Sequence, residues 1–171
     1  MILAYSIIIL TLLIGFIYLS YIIYIQFLPG AFYYPTTSKD TEIIFKHLKA
    51  KKHQIFIDLG SGDGRLIIAA AQHGFTSIGY EIDPILIRRS RQKIKQLNLS
   101  RLATIKAKNF WKADFNQADV ICIYQFPQYI KKLEKNFQKL NHSVTVITNS
   151  YPFPNQKPYL VKDKLYFYKF P

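Results

Sequence analysis

The chain opens with one long apolar run and then alternates short apolar stretches with amphipathic ones. Residues 2–28 contain no charged side chain, and the first one along the chain is Lys39. A helix that crosses a bilayer needs roughly 20 apolar residues at about 1.5 Å each. Apolar residues here cover every face rather than one stripe, which favours a transmembrane helix over residues 1–29. The alternative is a helix buried in the protein core.

Flanking charge predicts the orientation of this helix. The amino-terminal side carries no Lys or Arg, whereas five lysines follow the helix between residues 39 and 52. Because positive residues stay on the cytoplasmic side, we expect a single-pass membrane protein whose remaining domain faces the cytoplasm. Residues 2–28 would contact the lipid bilayer, residues 30–38 would be a linker, and residues 39–171 would form the domain.

Residues 39–171 alternate predicted strands and predicted helices. A helix capped by Thr37 and Asp40 comes first, and others cover residues 65–73, residues 84–98 and a run that opens at Pro127. The predicted strands are residues 54–59, 75–81, 101–107, 119–124 and 143–148, followed by a hairpin of residues 159–161 and 165–170. This alternation predicts an α/β fold with a mostly parallel sheet and helices on both faces.

Composition narrows the class of protein. Half of the 171 residues are hydrophobic, which excludes disorder for most of the chain. The single cysteine, Cys122, excludes a disulfide framework or a Cys-rich zinc site, and the four histidines show no metal-ligand spacing, so we expect no metal. The net charge of +13 indicates either an acidic partner, such as anionic lipid or nucleic acid, or a solvated lysine-rich surface. No basic patch interleaved with aromatic residues stands out, which makes nucleic acid the weaker alternative.

The most informative stretch is residues 55–65, which read IFIDLGSGDGR. A strand delivers Asp58, and Gly60, Gly62 and Gly64 then allow a tight turn and a close approach to a ligand. The following helix would point its first N–H groups at that ligand. In open α/β sheets, ligands bind at this end of the strands.

The residue types around this turn indicate the ligand chemistry. The third glycine of a dinucleotide motif comes one residue early and Arg65 takes its place, so pyrophosphate fits poorly. Asp58 and Asp63 disfavour phosphate and suit an ammonium group. Glu81, at the end of the second strand, can accept hydrogen bonds from both ribose hydroxyls. Together they predict S-adenosyl-L-methionine; the alternatives are a ligand-free turn and an ordinary surface carboxylate at Glu81.

The glycine stretch, joined to the GYEIDP segment of residues 79–84, resembles motif I of the class I methyltransferases. The chain further resembles the family of the ATP synthase c-subunit lysine N-methyltransferase. That resemblance rests on the apolar first segment, the YPT of residues 34–36, the glycine motif, and the QFPQ, KLEK and YPFP segments after residue 124. It implies a Rossmann-like class I methyltransferase sheet and methylation of an accessible lysine in a protein substrate, with a membrane protein as one candidate. The prolines of residues 151–158 leave no room for the usual helix there, so we expect a minimal version of the fold.

The resemblance also implies roles for individual residues. Those expected to bind the cofactor are Asp58, Gly60, Ser61, Gly62, Asp63 and Gly64 at the methionine end, Glu81 at the ribose, Asn109, Phe110 and Trp111 at the adenine, and Tyr34 and Thr36 closing over the methionine. Asn109 stands where many relatives have an aspartate, and Asp114 is the alternative contact. Trp111 fits a core aromatic equally well, and Tyr34 and Thr36 fit a plain entry turn to a helix.

The expected reaction is in-line displacement at the sulfonium methyl, with Tyr124, Gln125 and Pro127 as the substrate-facing residues after the fourth strand. A lysine nucleophile must first lose its proton, since its ordinary pKa is about 10.4. We expect no dedicated general base, and the alternative for this turn is a helix cap that begins at Pro127. Competing functions are methylation of a small molecule, lipid or RNA, and a membrane-tethered module that binds the cofactor without catalysis.

Overall fold

The computed structural model describes residues 2–27, 35–48, 50–51 and 53–171. The chain divides into two compact units, residues 1–32 and residues 33–171. The first contains helix α1 (Ile2–Phe27), whose 26 residues span about 39 Å. The Ala4–Tyr24 segment of this helix has a mean hydropathy of 2.5, and none of it is buried. This helix is long and apolar enough to cross a membrane. Core helices of soluble proteins and signal sequences can have the same length and composition.

The second unit is built on one seven-stranded sheet. Its strands are β1 (Ile55–Leu59), β2 (Thr76–Glu81), β3 (Ala103–Ala107), β4 (Val120–Ile123), β5 (Val144–Asn149), β6 (Leu160–Lys162) and β7 (Leu165–Phe170). Their order is β3-β2-β1-β4-β5-β7-β6. The first five pair in parallel, and β7 lies antiparallel between β5 and β6. The predicted α/β sheet and closing hairpin are thus confirmed.

Four helices complete this unit: α2 (Ser38–His47), α3 (Arg65–Gln72), α4 (Pro84–Gln96) and α5 (Pro127–Phe137). The predicted capping box is present, because Thr37 Oγ1 accepts from the Asp40 N–H and Asp40 Oδ2 accepts from the Thr37 N–H. Asp83 caps α4 by accepting from the Ile85 N–H at 2.7 Å. Side-chain caps satisfy the first backbone donors of a helix, which is why these two helices begin where the sequence predicts.

The sheet separates two hydrophobic layers. Residues of α2, α3 and α4 pack on one face, and residues of α5 pack on the other. Successive strand residues point to opposite faces, so Phe56 joins the first layer and Ile57 the second. Cys122 lies in the first layer, where burial and the nearby Asp58 charge raise the pKa of its thiol. Helices on both faces are confirmed, and Cys122 is a core residue.

Two predicted elements of the domain extend two residues beyond the observed ones at one end. Arg101 and Leu102 complete the turn after α4, where the Leu102 N–H donates to the Leu99 carbonyl, so β3 begins at Ala103. The α4 helix ends at Gln96 rather than Asn98, because Asn98 has a positive φ of 57°. The end of the predicted transmembrane helix and most of the predicted linker lie outside the described residues.

No helix forms between β5 and β6, as the prolines there predict; all of residues 150–159 are described. Buried Glu134 of α5 holds this segment by accepting from the backbone N–H groups of Asn155 (2.9 Å) and Gln156 (2.7 Å). The Phe153 N–H donates to the Tyr168 hydroxyl at 3.0 Å, and the Phe153 ring is buried. A loop anchored to α5 therefore takes the place of the helix.

Candidate active site

The turn between β1 and α3 requires glycine at more than one position. Gly60 and Gly64 have φ angles of +94° and +79°, which side-chain-bearing residues rarely adopt. A Cβ at residue 60 would lie 2.8 Å from Gln125 Nε2, and one at residue 64 would lie 2.7 Å from the Ser90 Cβ. The turn is thus packed between the β4–α5 connection and helix α4.

Glu81 fastens this turn to the end of β2. Its Oε2 accepts from the Gly62 N–H at 2.8 Å, and its Oε1 accepts from the N–H groups of Ile82 (2.8 Å) and Asp83 (2.9 Å). Three donors thus hold a buried carboxylate in one orientation. These bonds use three of the about four lone-pair positions of a carboxylate, so Oε2 can still accept from a diol placed beside it.

Asp58 is a buried carboxylate near the end of β1. Burial, and then the charge of Glu81, raise the pKa of Asp58 from its ordinary 3.8 to about 7. Within the described part of the chain, no hydrogen-bond donor contacts it. A buried carboxylate without a donor costs folding free energy, and an ammonium group beside it would offset that cost. The site therefore has the chemistry to bind a cationic ligand at this point.

Ser61 provides a second unpaired group in the same turn. Its hydroxyl is buried, and none of the described residues gives it a hydrogen-bond partner. It packs on β2 so closely that a Cβ at Gly79 would lie 2.5 Å from the Ser61 Oγ. A buried hydroxyl normally has a partner, so this one is consistent with a turn completed by a ligand.

Asp63 is engaged by side chains of the protein. Arg65 Nε and Lys93 Nζ approach its two oxygens at 2.9 Å and 2.8 Å. Burial alone would raise its pKa, but these hydrogen bonds and charges lower the pKa of Asp63 to about 2. The sequence suggested that Asp63, like Asp58, faces the ammonium group of a ligand. In the structure, the Asp63 carboxylate instead forms ion pairs with Arg65 and Lys93.

A cleft brings the carboxyl ends of the central strands together with the residues before α2. Thr36, Asp58, Tyr124 and Asn149 are among the residues that line it. The Tyr124 hydroxyl accepts a long hydrogen bond of 3.4 Å from Ser150 Oγ. Thr36 and Tyr124 thus line the same cleft as Asp58. Tyr34 lies outside the described residues.

The connection between β4 and α5 contributes the other predicted substrate-facing residues. Gln125 is buried, and its Nε2 donates to the Leu59 carbonyl at 3.0 Å. Pro127 is the first residue of α5, so it both begins that helix and rigidifies the turn. The sheet register aligns β4 with β1, pairing Leu59 with Ile123, which is why the two ends meet.

The residues expected at the adenine lie past β3, around two short 3₁₀ helices, Phe110–Lys112 and Phe115–Gln117. Asn109 Oδ1 accepts from the Trp111 N–H, and Asp114 Oδ1 accepts from the Asn116 N–H, each at 3.0 Å. Both side chains therefore cap local turns and both keep acceptor capacity, so the choice between them stays open.

The aromatic residues of this segment pack on the α5 side of the sheet. Phe110 and Trp111 are half-buried and lie against the second hydrophobic layer. Lys132 Nζ lies 4.4 Å from the centre of the Trp111 ring, which gives that ring a cation–π contact. Trp111 therefore packs against the core, which the sequence offered as the alternative to stacking on the adenine.

Sequence reasoning missed two residues of this site. Arg65 was singled out only as the residue that replaces a glycine, yet its guanidinium also donates to the Thr36 carbonyl at 3.0 Å. Asn149 lines the cleft from the end of β5 and lies 3.5 Å from the Asp40 carboxylate. Its only sequence signal is a polar residue that follows an apolar strand.

Comparisons with known proteins agree with this geometry. The family model of the ANTKMT methyltransferase domain matches residues 58–160. The ATP synthase c-subunit lysine N-methyltransferase of Homo sapiens is 36% identical over 125 residues, covering 72% of this chain and 53% of the relative. The protein-lysine N-methyltransferase of Saccharolobus islandicus (strain REY15A) is 26% identical over 136 residues, covering 78% of this chain and 84% of that protein. This chain thus spans about half the length of its human relative.

Among solved structures, an RNA methyltransferase from Salinibacter ruber in complex with S-adenosyl-L-homocysteine superposes with a TM-score of 0.72. It is 27% identical and covers 80% of this chain and 92% of its own. The sequence resemblance to class I methyltransferases is confirmed by the sheet order, the family match and this neighbour. The chain therefore belongs to the ANTKMT methyltransferase domain family.

Proposed function

We propose that this protein is an S-adenosyl-L-methionine-dependent protein-lysine N-methyltransferase. The observation that carries the proposal is the presence of two buried carboxylates in the site. No described residue donates to Asp58, and three backbone donors hold the orientation of Glu81. A ligand that satisfies both needs a cation and a diol, and an adenosyl amino acid has both. Named relatives at 36% and 26% identity are lysine N-methyltransferases, which supports lysine as the acceptor.

The residues of the chain divide the work of binding. Asp58 receives the ammonium group, the glycine turn with Ser61 supports the methionine end, and Glu81 accepts from the ribose hydroxyls. Asn109 or Asp114 accepts from the adenine amino group. When bound, the cofactor supplies an activated methyl group on a sulfonium sulfur.

The protein must present a neutral lysine amine in line with that methyl group. In this proposal Tyr124 and Gln125, which follow β4, border the path of the substrate, and Pro127 makes their turn rigid. The support is that Tyr124 lines the same cleft as Asp58. A partly dry site bordered by an aromatic ring favours the neutral form of an amine, because burial disfavours its charge. Alignment of amine and methyl group then lowers the entropic barrier.

Transfer of label tests the reaction. The full chain in detergent is incubated with methyl-labelled cofactor in separate reactions, each of which contains one class of acceptor. The acceptors are membrane proteins, lysine-containing peptides, RNA and lipid extract. We expect label in protein bands and its loss in the Asp58→Ala variant. Label only in RNA, lipid or a small molecule would replace the lysine proposal, and binding without transfer to any acceptor would indicate a non-catalytic module.

We also propose that helix α1 anchors the protein in a membrane, with the domain on the cytoplasmic side and a membrane protein as substrate. The support is the apolar Ala4–Tyr24 segment and the lysines that follow it. Alkaline extraction of membranes from expressing cells should leave the full chain in the pellet. Added protease should cleave the domain in inside-out vesicles and spare it in right-side-out ones; the reverse pattern would contradict the orientation.

A further inference from the structure

Arg65 joins two segments that lie far apart in the chain. Its Nε and Nη2 donate to the two oxygens of Asp63 at 2.9 Å and 3.2 Å. Its Nη1 donates to the backbone carbonyl of Thr36 at 3.0 Å. One planar guanidinium therefore connects the glycine turn to the residues that precede α2, an arrangement that only a fork of several donors allows.

The segment that Arg65 reaches forms one wall of the site. Thr36 lines the same cleft as Asp58 and Tyr124. On its other side, the start of α2 is attached to the β6–β7 turn, because Lys164 Nζ lies 3.2 Å from Asp40 and Lys39 Nζ lies 2.8 Å from Asp163. Thr36 and the start of α2 are thus held by the β6–β7 turn on one side and by the glycine turn on the other.

We propose that Arg65 is a positioning residue for the cofactor. By holding Asp63 and the Thr36 carbonyl together, it keeps the segment before α2 closed against the methionine end of the site. Arg65 does not touch the reacting atoms in this role; it acts through Thr36. This inference rests on the proposed cofactor and adds a residue whose side chain the sequence motif did not assign to the site.

Lys93 provides a matched control. It donates to the same Asp63 carboxylate, from helix α4, at 2.8 Å, and it is exposed to a similar degree as Arg65 (47% and 41%). A charge effect on Asp63 alone would appear in variants of both residues. An effect of the connection to Thr36 would appear only in variants of Arg65.

The test compares Arg65→Gln, Arg65→Lys and Lys93→Gln in the full chain, with S-adenosyl-L-homocysteine as the probe in calorimetry. We expect both Arg65 variants to weaken binding by about tenfold, because a lysine keeps the charge and loses the fork. Lys93→Gln should weaken binding by less than about twofold, as is usual for one exposed ion pair. Methyl transfer should remain near the wild-type rate in Lys93→Gln, whereas in the Arg65 variants the KM for the cofactor should rise more than kcat falls.

Amide exchange of the ligand-free proteins gives a second readout. Thr37 and Asp40 amides should exchange faster in the Arg65 variants and at the wild-type rate in Lys93→Gln. Equal effects of Arg65→Gln and Lys93→Gln in both measurements, or wild-type affinity in Arg65→Gln, would overturn the positioning role while leaving the proposed function intact. Absence of any binding by the wild-type chain would instead overturn the proposed function, and this inference with it.

Discussion

The backbone N–H of Gly62 donates a 2.8 Å hydrogen bond to Oε2 of Glu81, and this bond joins the glycine turn to the end of the neighbouring strand. The same carboxylate also accepts from the N–H groups of Ile82 and Asp83. A single buried side chain therefore fixes both the glycine turn after β1 and the connection between β2 and α4. A residue proposed to bind ribose is therefore also a structural support of the turn beneath the methionine.

Replacing Glu81 by Gln should affect both roles. A carboxamide has one acceptor oxygen, so at least one of the three backbone donors loses its partner, at a cost of about 1–3 kcal/mol in the free energy of unfolding. Affinity for S-adenosyl-L-homocysteine should fall by at least about tenfold. Chemical denaturation and calorimetry measure the two effects. Unchanged affinity with lowered stability would restrict Glu81 to its structural role.

Replacing Asp58 by Asn should have opposite effects on stability and binding. The change removes a buried charge to which no described residue donates, so at pH 8 the ligand-free variant should unfold at a higher temperature than the wild type. The ammonium partner is lost, so the same variant should bind S-adenosyl-L-homocysteine at least about tenfold more weakly. Exposed Glu42→Gln is the control, for which affinity should stay unchanged. A destabilised Asp58→Asn variant would contradict this account of the buried charge.

The pKa of Asp58 also predicts the pH dependence. Its folded-state pKa of about 7 lies above the ordinary 3.8, so between these values the folded chain holds a proton that the unfolded chain has released. The contribution of Asp58 to stability is therefore present below about pH 4 and is lost as the pH rises to about 7. Binding of an ammonium ligand needs the carboxylate, so affinity should rise by up to about tenfold per pH unit below pH 7. Calorimetry between pH 5.5 and about 7.5 measures this slope, and Asp58→Asn should abolish it.

Gly64 offers a test of packing between the turn and α4. An alanine there combines a φ of +79° with a Cβ 2.7 Å from the Ser90 Cβ, so we expect a loss of about 2–4 kcal/mol in stability. Gly74→Ala has a similar φ of +90° and its nearest neighbour at 3.9 Å, so it carries the backbone cost alone. Ser90→Gly should partly restore the Gly64→Ala variant in a double-mutant cycle followed by denaturation. Additive effects of the two changes would refute the contact.

Glu134 is expected to stabilise the loop that replaces a helix. Glu134→Ala leaves the N–H groups of Asn155 and Gln156 and the Asn155 side chain without their acceptor, which should cost about 2–4 kcal/mol in the free energy of unfolding. Exposed Glu42→Ala, also within a helix, should change stability by less than about 0.5 kcal/mol. Denaturation curves compare the two, and equal losses would show that the loop does not depend on Glu134.

Local patterns in the sequence account for most of the elements. Short apolar runs and helical spacing indicated all seven strands and the four domain helices, and the capping box at Thr37 marked the start of α2, because these signals involve residues within a few positions of each other. The glycine turn with Asp58 and Glu81 was predictable for a similar reason: three glycines and two acids at strand ends are a compact signal. Element ends were less well predicted, since β3 begins where Ala103 comes into register with Ser77 of β2, a pairing between distant segments.

Tertiary structure alone decided how the acidic residues are used. Asp58 and Asp63 look equivalent along the chain, but packing buries Asp58 where none of the described residues donates to it, and it brings Lys93, 30 residues away, onto Asp63. The reach of Arg65 to Thr36 and the place of Asn149 in the cleft likewise depend on contacts between distant segments. A sequence pattern reports which neighbours a residue has along the chain, whereas the charge and partners of a buried group are set by the neighbours that folding brings to it in space.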